Sequence, residues 1–365
     1  DKAGTVLWQK QWGHAENESA YQMVRHSDGS LYMTVTGRAD DGTLTDAYVT
    51  KFDADGNLVW ELAYPVLSEI QQFYRMVISP NGNVFVSVVE PWSGPPAPRR
   101  ARLMKITPSA SIEWIKVLGT LEDDAADPLL DAGPYDEYWV FPRGLAVDVN
   151  ETIYMNLRVG YTVAGTSSSV TMLASLDGAD GTILSRLEPL VTSAFPINTP
   201  PAILPDMHLT AAGNLRVLGF HELPDGTAGL VVAELDTAGN EIWATARNVP
   251  DEDRTGFKGV LAADGSSIVR GIAETVASAG ANVDVSITKF DSAGDFVWES
   301  ILSGTLADGT TDVFDAGSQP VVDADGSVFV LIYSEGGAIG STTNQGGGDV
   351  FIVKLDGDTG EMIHP

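Results

Sequence analysis

The chain has 365 residues, no cysteine and a formal net charge of −29, from 50 Asp and Glu against 21 Lys and Arg. The missing cysteine excludes disulfides, thiolate catalysis and cysteine metal sites, and the acid excess argues against nucleic acid and anionic membrane surfaces, which need clustered Lys and Arg. No apolar run reaches the length of a membrane span, no signal peptide is visible, and the start at Asp1 rather than Met reads as a processed or trimmed product.

In chain order, Thr5–Trp12 reads first as an outer strand. A turn of Asp and Gly followed by a Trp-bearing strand then recurs, clearest at Lys51–Trp60, Glu234–Trp243 and Lys289–Trp298. The anchors are Trp8, Trp60, Trp114, Leu184, Trp243, Trp298 and a degenerate Ile363, spaced 52 to 70 residues apart. Midway through each of the six periods a second turn separates two apolar runs. These turns are Ser27–Ser30, Pro80–Asn83, Val149–Thr152, Ala211–Asn214, Ala263–Ser266 and Asp323–Ser327. Asn-Gly and Asp-Gly supply the positive φ that tight hairpins require.

Each period therefore predicts four strands. In the second they fall near Tyr74–Ser79, Asn83–Val89, Arg102–Thr107 and Ser111–Leu118. No stretch has helical periodicity, and repeats of this length and composition suit propeller blades. The expected fold is all-β, a single six-bladed β-propeller of four-stranded antiparallel blades over residues 1–365. Closure is expected from the N-terminal strand completing the last blade, because a ring removes exposed sheet edges. The tail Asp356–Pro365 repeats the turn and offers a competing outer strand.

Trp12-Gly13, then Asp28-Gly29-Ser30-Leu31-Tyr32, then Ala47–Asp53 with its Lys-aromatic-Asp ending, resemble the bacterial β-propeller repeat family of secreted and lipid-anchored surface proteins. The resemblance covers nearly the whole chain and is weakest in the third period. It implies a propeller fold and an extracellular, cell-surface or periplasmic location, and it assigns no activity.

The strand scheme puts the short Asp-Gly turns on one face and every long segment on the other, where binding loops are expected. Three long segments stand out. Glu90–Arg100 carries Trp92, Arg99 and Arg100 among stiffening prolines. Gly119–Pro142 sets seven carboxylates beside Tyr135, Tyr138 and Trp139, a composition open to calcium or a sugar as well as to a solvated acidic loop. Glu188–Pro205 carries five prolines and reads as a lid or packing loop. Aligning the six inner strands on their turns selects Gln22, Arg75, Gly144, Asp206, Lys258 and Gln319 for the channel mouth. Their donors suit an anionic or polyol ligand; the same set also suits a polar plug whose charges satisfy one another.

Other signals are blander. Asp53-Ala54-Asp55-Gly56 and its copies lack the later ligands of an EF-hand and read as turns. The five histidines show no zinc spacing, and His14 beside Glu16 and Glu18 is only suggestive. No Gly-x-Ser-x-Gly elbow or Walker loop occurs. No catalytic residue is assigned and no cofactor is predicted, with calcium left open. The leading expectation is a non-catalytic surface or secreted propeller binding a protein or carbohydrate partner through its long-loop face. The alternatives are a propeller enzyme with a metal or cofactor over the channel (lactonase-like, phytase-like or quinone-dehydrogenase-like) and a structural subunit of a surface assembly.

Overall fold

The computed structural model describes residues 9–14, 17–38, 44–64, 72–89, 101–118, 137–163, 166–187, 203–223, 227–275, 283–302, 315–334 and 349–363. The fold is all-β, with six four-stranded antiparallel blades, the blade set of a six-bladed β-propeller. Among the described residues no helix is long and apolar enough to cross a membrane. The chain divides into two compact units, Asp1–Arg186 and Leu187–Pro365.

The first unit holds three blades. The first blade is β1 (Asn17–Arg25), β2 (Leu31–Arg38), β3 (Leu44–Phe52) and β4 (Leu58–Ala63). The second is β5 (Gln72–Ile78), β6 (Val84–Val89), β7 (Ala101–Ile106) and β8 (Ile112–Leu118), each within two residues of its predicted place. The third is β9 (Glu137–Val147), β10 (Thr152–Val163), β11 (Thr166–Asp177) and β12 (Ile183–Leu187). Glu137–Pro142, expected as the end of an acidic loop, is therefore strand. The strand pairs with β10 from Glu137 to Val147, with one register shift opposite Asn156 and Leu157.

In the second unit the fourth blade is β13 (Ile203–Leu209), β14 (Leu215–Glu222), β15 (Ala228–Leu235) and β16 (Glu241–Arg247). The fifth is β17 (Glu252–Leu261), β18 (Ser267–Thr275), β19 (Val283–Phe290) and β20 (Phe296–Leu302). In the sixth the inner strand is split into β21 (Asp315–Gly317) and β22 (Val321–Val322), both paired with β23 (Val328–Ser334), which pairs in turn with β24 (Asp349–Leu355).

The expected closing strand Thr5–Trp12 falls mostly outside the described residues. Its described end forms no strand and bonds to the first blade: Lys10 Nζ donates to Asn57 Oδ1 at 3.0 Å and Trp12 Nε1 to Glu61 Oε2 at 3.0 Å. Beside β24 the tail takes the first place, through a Leu355–Met362 bridge and a hydrogen bond from Ile363 N to Lys354 O at 2.8 Å.

In four blades the repeated Trp fastens the blade to a turn of the next. Trp60 Nε1 donates to Pro108 O at 3.1 Å, Trp114 Nε1 to Gly178 O at 3.2 Å, and Trp298 Nε1 to Gly357 O at 3.1 Å. The Trp243 ring lies against Gly294, where a Cβ would come within 2.3 Å of it. The three hydrogen-bonded contacts cover a large apolar ring while satisfying its polar edge. Leu184, at the same position in the third blade, is 56% exposed. Opposite each Trp across the ladder stands a third-strand residue, Lys51, Lys105, Glu234 or Lys289. Lys51 sits over the Tyr32 ring at 5.1 Å and Lys105 over Phe85 at 5.9 Å. The fourth blade exchanges the partners: Glu234 takes the lysine position, and Arg216 on β14 stacks over Trp243 at 4.4 Å and bonds Glu234 at 2.5 Å.

Turn chemistry is as predicted. Asp53 Oδ1 accepts from the backbone N–H groups of Asp55 and Asn57, and Gly56 follows at φ 76°. The Asn57 amide and these backbone donors hold the Asp53 carboxyl below the usual range. In the third blade Glu151 adopts φ 62° where its counterparts are glycine. Its carboxylate is held by Ser79 Oγ at 2.6 Å, Asn83 Nδ2 at 2.6 Å and Lys105 Nζ at 3.4 Å. Burial pushes this carboxyl up, and the three donors together outweigh it and hold it low.

Candidate functional site

The inner-strand residues selected by alignment share one local structure. In five blades the ladder shifts register just before them, between Ala20 and Gln22, Phe73 and Arg75, Ile203 and Asp206, and Gly256 and Lys258, and opposite Asn156 and Leu157 for Gly144. In the sixth Gln319 lies within the interruption between β21 and β22. A bulge frees a backbone N–H and re-aims the side chain that follows. Two of the freed groups are met by second-strand side chains: Ser87 Oγ accepts from Arg75 N at 3.1 Å, and Asn156 Oδ1 from Gly144 N at 2.5 Å.

The re-aimed side chains clamp adjacent blades. In the first unit Gln22 Oε1 accepts from Met76 N at 2.7 Å while its Nε2 donates to Met76 O at 3.2 Å, beside Arg75. In the second unit Asp206 Oδ2 accepts from Gly259 N at 2.8 Å and lies 3.2 Å from His208 Nε2. Gln319 Nε2 donates to Gly259 O at 2.7 Å. Asp206 and Gln319 thus meet the same residue, next to Lys258, which stands opposite Arg270. These bonds tie neighbouring blades together through positions that the alignment selected.

Of the residues expected to bind a partner, Trp92, Arg99, Arg100 and Tyr135 lie outside the described residues, and Tyr138 is described only as backbone of β9. Trp139 is described and half-buried. It pairs with Gly160 across the ladder, and its ring lies where a Cβ on residue 160 would fall, 2.0 Å from two ring atoms. Only glycine admits the indole there. Phe141 meets its edge at 5.1 Å. The Arg158 guanidinium stands 5.2 Å from the Trp139 centroid and donates to Ser169 Oγ at 3.3 and 3.4 Å. Burial draws the Arg158 pKa below its ordinary value. Sequence reasoning missed Arg158, Gly160 and Ser169. The available signal was the two-residue spacing of Arg158 and Gly160, which puts both on one face of a strand.

It also missed a buried ionic cluster at the meeting of the fourth and fifth blades. Glu299 accepts from Arg247 Nη2 at 2.8 Å and Thr288 Oγ1 at 3.3 Å and lies 3.3 Å from Arg254 Nε; Arg254 also pairs with Glu252. Burial pushes the Glu299 carboxyl up, and the two arginines outweigh it. Asp284 nearby is pushed up by burial, with Arg254 opposing. His221, buried beside Asn248, is pulled down by burial.

His14, read as a bystander, stacks on Tyr48 at 4.8 Å and shares Glu61 Oε2 with Trp12, at 3.2 Å. Among the described residues no group of three or more His, Asp or Glu side chains is placed to hold a metal.

No protein-family model and no curated protein matches the chain. Solved structures do. The GH93 alpha-L-arabinofuranosidase of Fusarium graminearum, solved with arabinobiose, is 10% identical over 91% of each chain with a TM-score of 0.52. Trypanosoma rangeli sialidase is 11% identical over 94% of this chain and 52% of its own, with a TM-score of 0.48. BamB from Moraxella catarrhalis is 13% identical over 94% of this chain and 96% of its own, with a TM-score of 0.36. At these identities the likeness is one of fold alone.

Proposed function

We propose that the chain is a non-catalytic secreted or cell-surface propeller that binds a protein or glycan partner through its long-loop face. The observation that carries this reading is Trp139. It is one of the residues singled out for partner binding, and it stands half-buried near the end of the long β9–β10–β11 sheet. Gly160 supports the ring and Arg158 and Phe141 flank it. An aromatic ring held rigidly beside an arginine is the usual composition of a binding hot spot. The bonding of Gln22, Asp206 and Gln319 to neighbouring backbone supports the same reading, because each already engages protein groups. The acid excess favours a soluble, exposed setting.

The test is partner capture from glycan arrays and surface-protein extracts with three proteins: wild type, Trp139→Ala, and a double replacement of residues 90–100 and 119–136 by short Gly-Ser linkers. Binding is expected to weaken by about tenfold or more in Trp139→Ala and to vanish in the double replacement, with unchanged melting curves. Capture that survives both changes overturns the assignment.

A further inference from the structure

The chain carries 50 acidic side chains against 21 basic ones. Several buried or half-buried cations have carboxylates: Lys105 has Glu113 and Glu151, Arg216 has Glu234, and Arg247 and Arg254 have Glu299, whereas Lys51 lies over the Tyr32 ring. Arg158 is half-buried and has none among the described residues. Its protein partners are the Ser169 hydroxyl, at the long end of hydrogen-bonding distance, and the Trp139 ring. A half-buried cation is normally paired, and among the described residues this guanidinium meets only a hydroxyl and an indole.

The surrounding groups restrict what could meet the guanidinium. Trp139, Arg158, Gly160 and Ser169 all project from, or lie on, one face of the third blade: Gly160 is opposite both Trp139 and Ser169, and Arg158 is two residues before it. The opposite face, with Val140, Leu157 and Val159, belongs to the hydrocarbon core of the blade. A single planar guanidinium matches a carboxylate in two parallel hydrogen bonds. A multiply charged phosphate would need more cations than one in so acidic a chain. The indole beside the guanidinium suits the apolar C–H face of a sugar ring.

We infer that the Arg158–Trp139 face of the third blade binds a uronic acid unit of a glycan, its carboxylate on Arg158 and Ser169 and its ring against Trp139. This rests on the reading of the chain as a binding module and names the ligand class for one site.

The probe is a galacturonic acid trisaccharide, with its fully methyl-esterified form as control, titrated by calorimetry into wild type, Arg158→Gln, Arg158→Lys and Trp139→Phe. Wild type is expected to bind the acid and to lose about tenfold or more in affinity for the ester. Arg158→Gln should show the same loss toward the acid. Arg158→Lys, which keeps the charge without the fork, should fall between, and it serves as the reading if Arg158→Gln melts early. Equal affinity for acid and ester, undiminished binding by Arg158→Gln, or no binding of the acid by wild type each overturns the inference. In those cases, capture of a neutral glycan or a protein by wild type leaves the binding-module reading standing, and failure to capture any partner removes that as well.

Discussion

Between the second and third blades, Phe85, Leu103 and Leu118 pack with Leu145, Ile153 and Met155 in one apolar cluster. Between the fourth and fifth blades the apolar cluster shrinks to Leu218, Leu230, Val232, Val269 and Phe290 with Trp243. Buried charge is more extensive there, with Arg216 on Glu234 and both Arg254 and Arg247 on Glu299, against the single Lys105–Glu151 pair between the second and third blades among the described residues. Both boundaries keep the repeated Trp, so one anchor accommodates two kinds of interface. Hydrocarbon gains stability simply by leaving water. Buried ions gain only if every charge meets a partner in good geometry, because desolvation opposes them. The ionic boundary is therefore the one more sensitive to the loss of a single residue and to pH.

The largest expected effect is at Arg216. Arg216→Ala leaves Glu234 buried without its partner and should cost about 3–5 kcal/mol in denaturant unfolding. Removing both charges together, as Arg216→Met with Glu234→Leu, should cost little or even stabilise. If the double variant loses as much as the single one, the charges are not interchangeable with hydrocarbon and the contrast between the boundaries fails.

A smaller effect, readable by its pH dependence, belongs to Asp284. Burial raises its folded pKa above the unfolded value, so between the two the folded state binds more protons and stability falls as pH rises. Asp284→Asn removes the charge at similar shape. The melting-temperature difference between variant and wild type should grow in the variant's favour as pH rises through the ordinary aspartate range, then level off. A difference flat from acid to neutral pH would show that this carboxyl does not strain the boundary. His221 works in the opposite direction: with its folded pKa pulled down, its neutral form is favoured and stability is lost as pH falls.

The smallest effect is expected on β24, where Ile352 is 75% and Val350 65% exposed. Ile352→Thr should change stability by no more than about 0.5 kcal/mol. The same change at Ile287, its fully buried counterpart on β19, should cost about 2 kcal/mol, since it loses buried methylene surface and buries a hydroxyl. Equal costs at the two sites would mean that Ile352 is covered in solution.

Much of the fold was legible because its signals are local. The strands from Gln72 to Leu118 fall within two residues of their expected places, set by alternation and by Asn-Gly and Asp-Gly turns. The alignment that selected Gln22, Arg75, Gly144, Asp206, Lys258 and Gln319 found equivalent positions, and the bulges account for their equivalence. It did not reveal that Gln22 would clamp Met76 or that Asp206 and Gln319 would both reach Gly259. Those bonds join residues more than 50 positions apart.

By itself the sequence determined the all-β class, the six blades, their hairpin turns and the repeated Trp, because each follows from periodicity and turn chemistry within a few residues. The tertiary structure decided which charges are paired. Glu299 lies between Arg247 and Arg254, Arg216 meets Glu234, and Arg158 meets an indole and a hydroxyl. That depends on cross-strand register and on how closely neighbouring blades approach, as where Gly160 admits Trp139. No local pattern carries that information, since the energy of a charge is set by the groups packed around it.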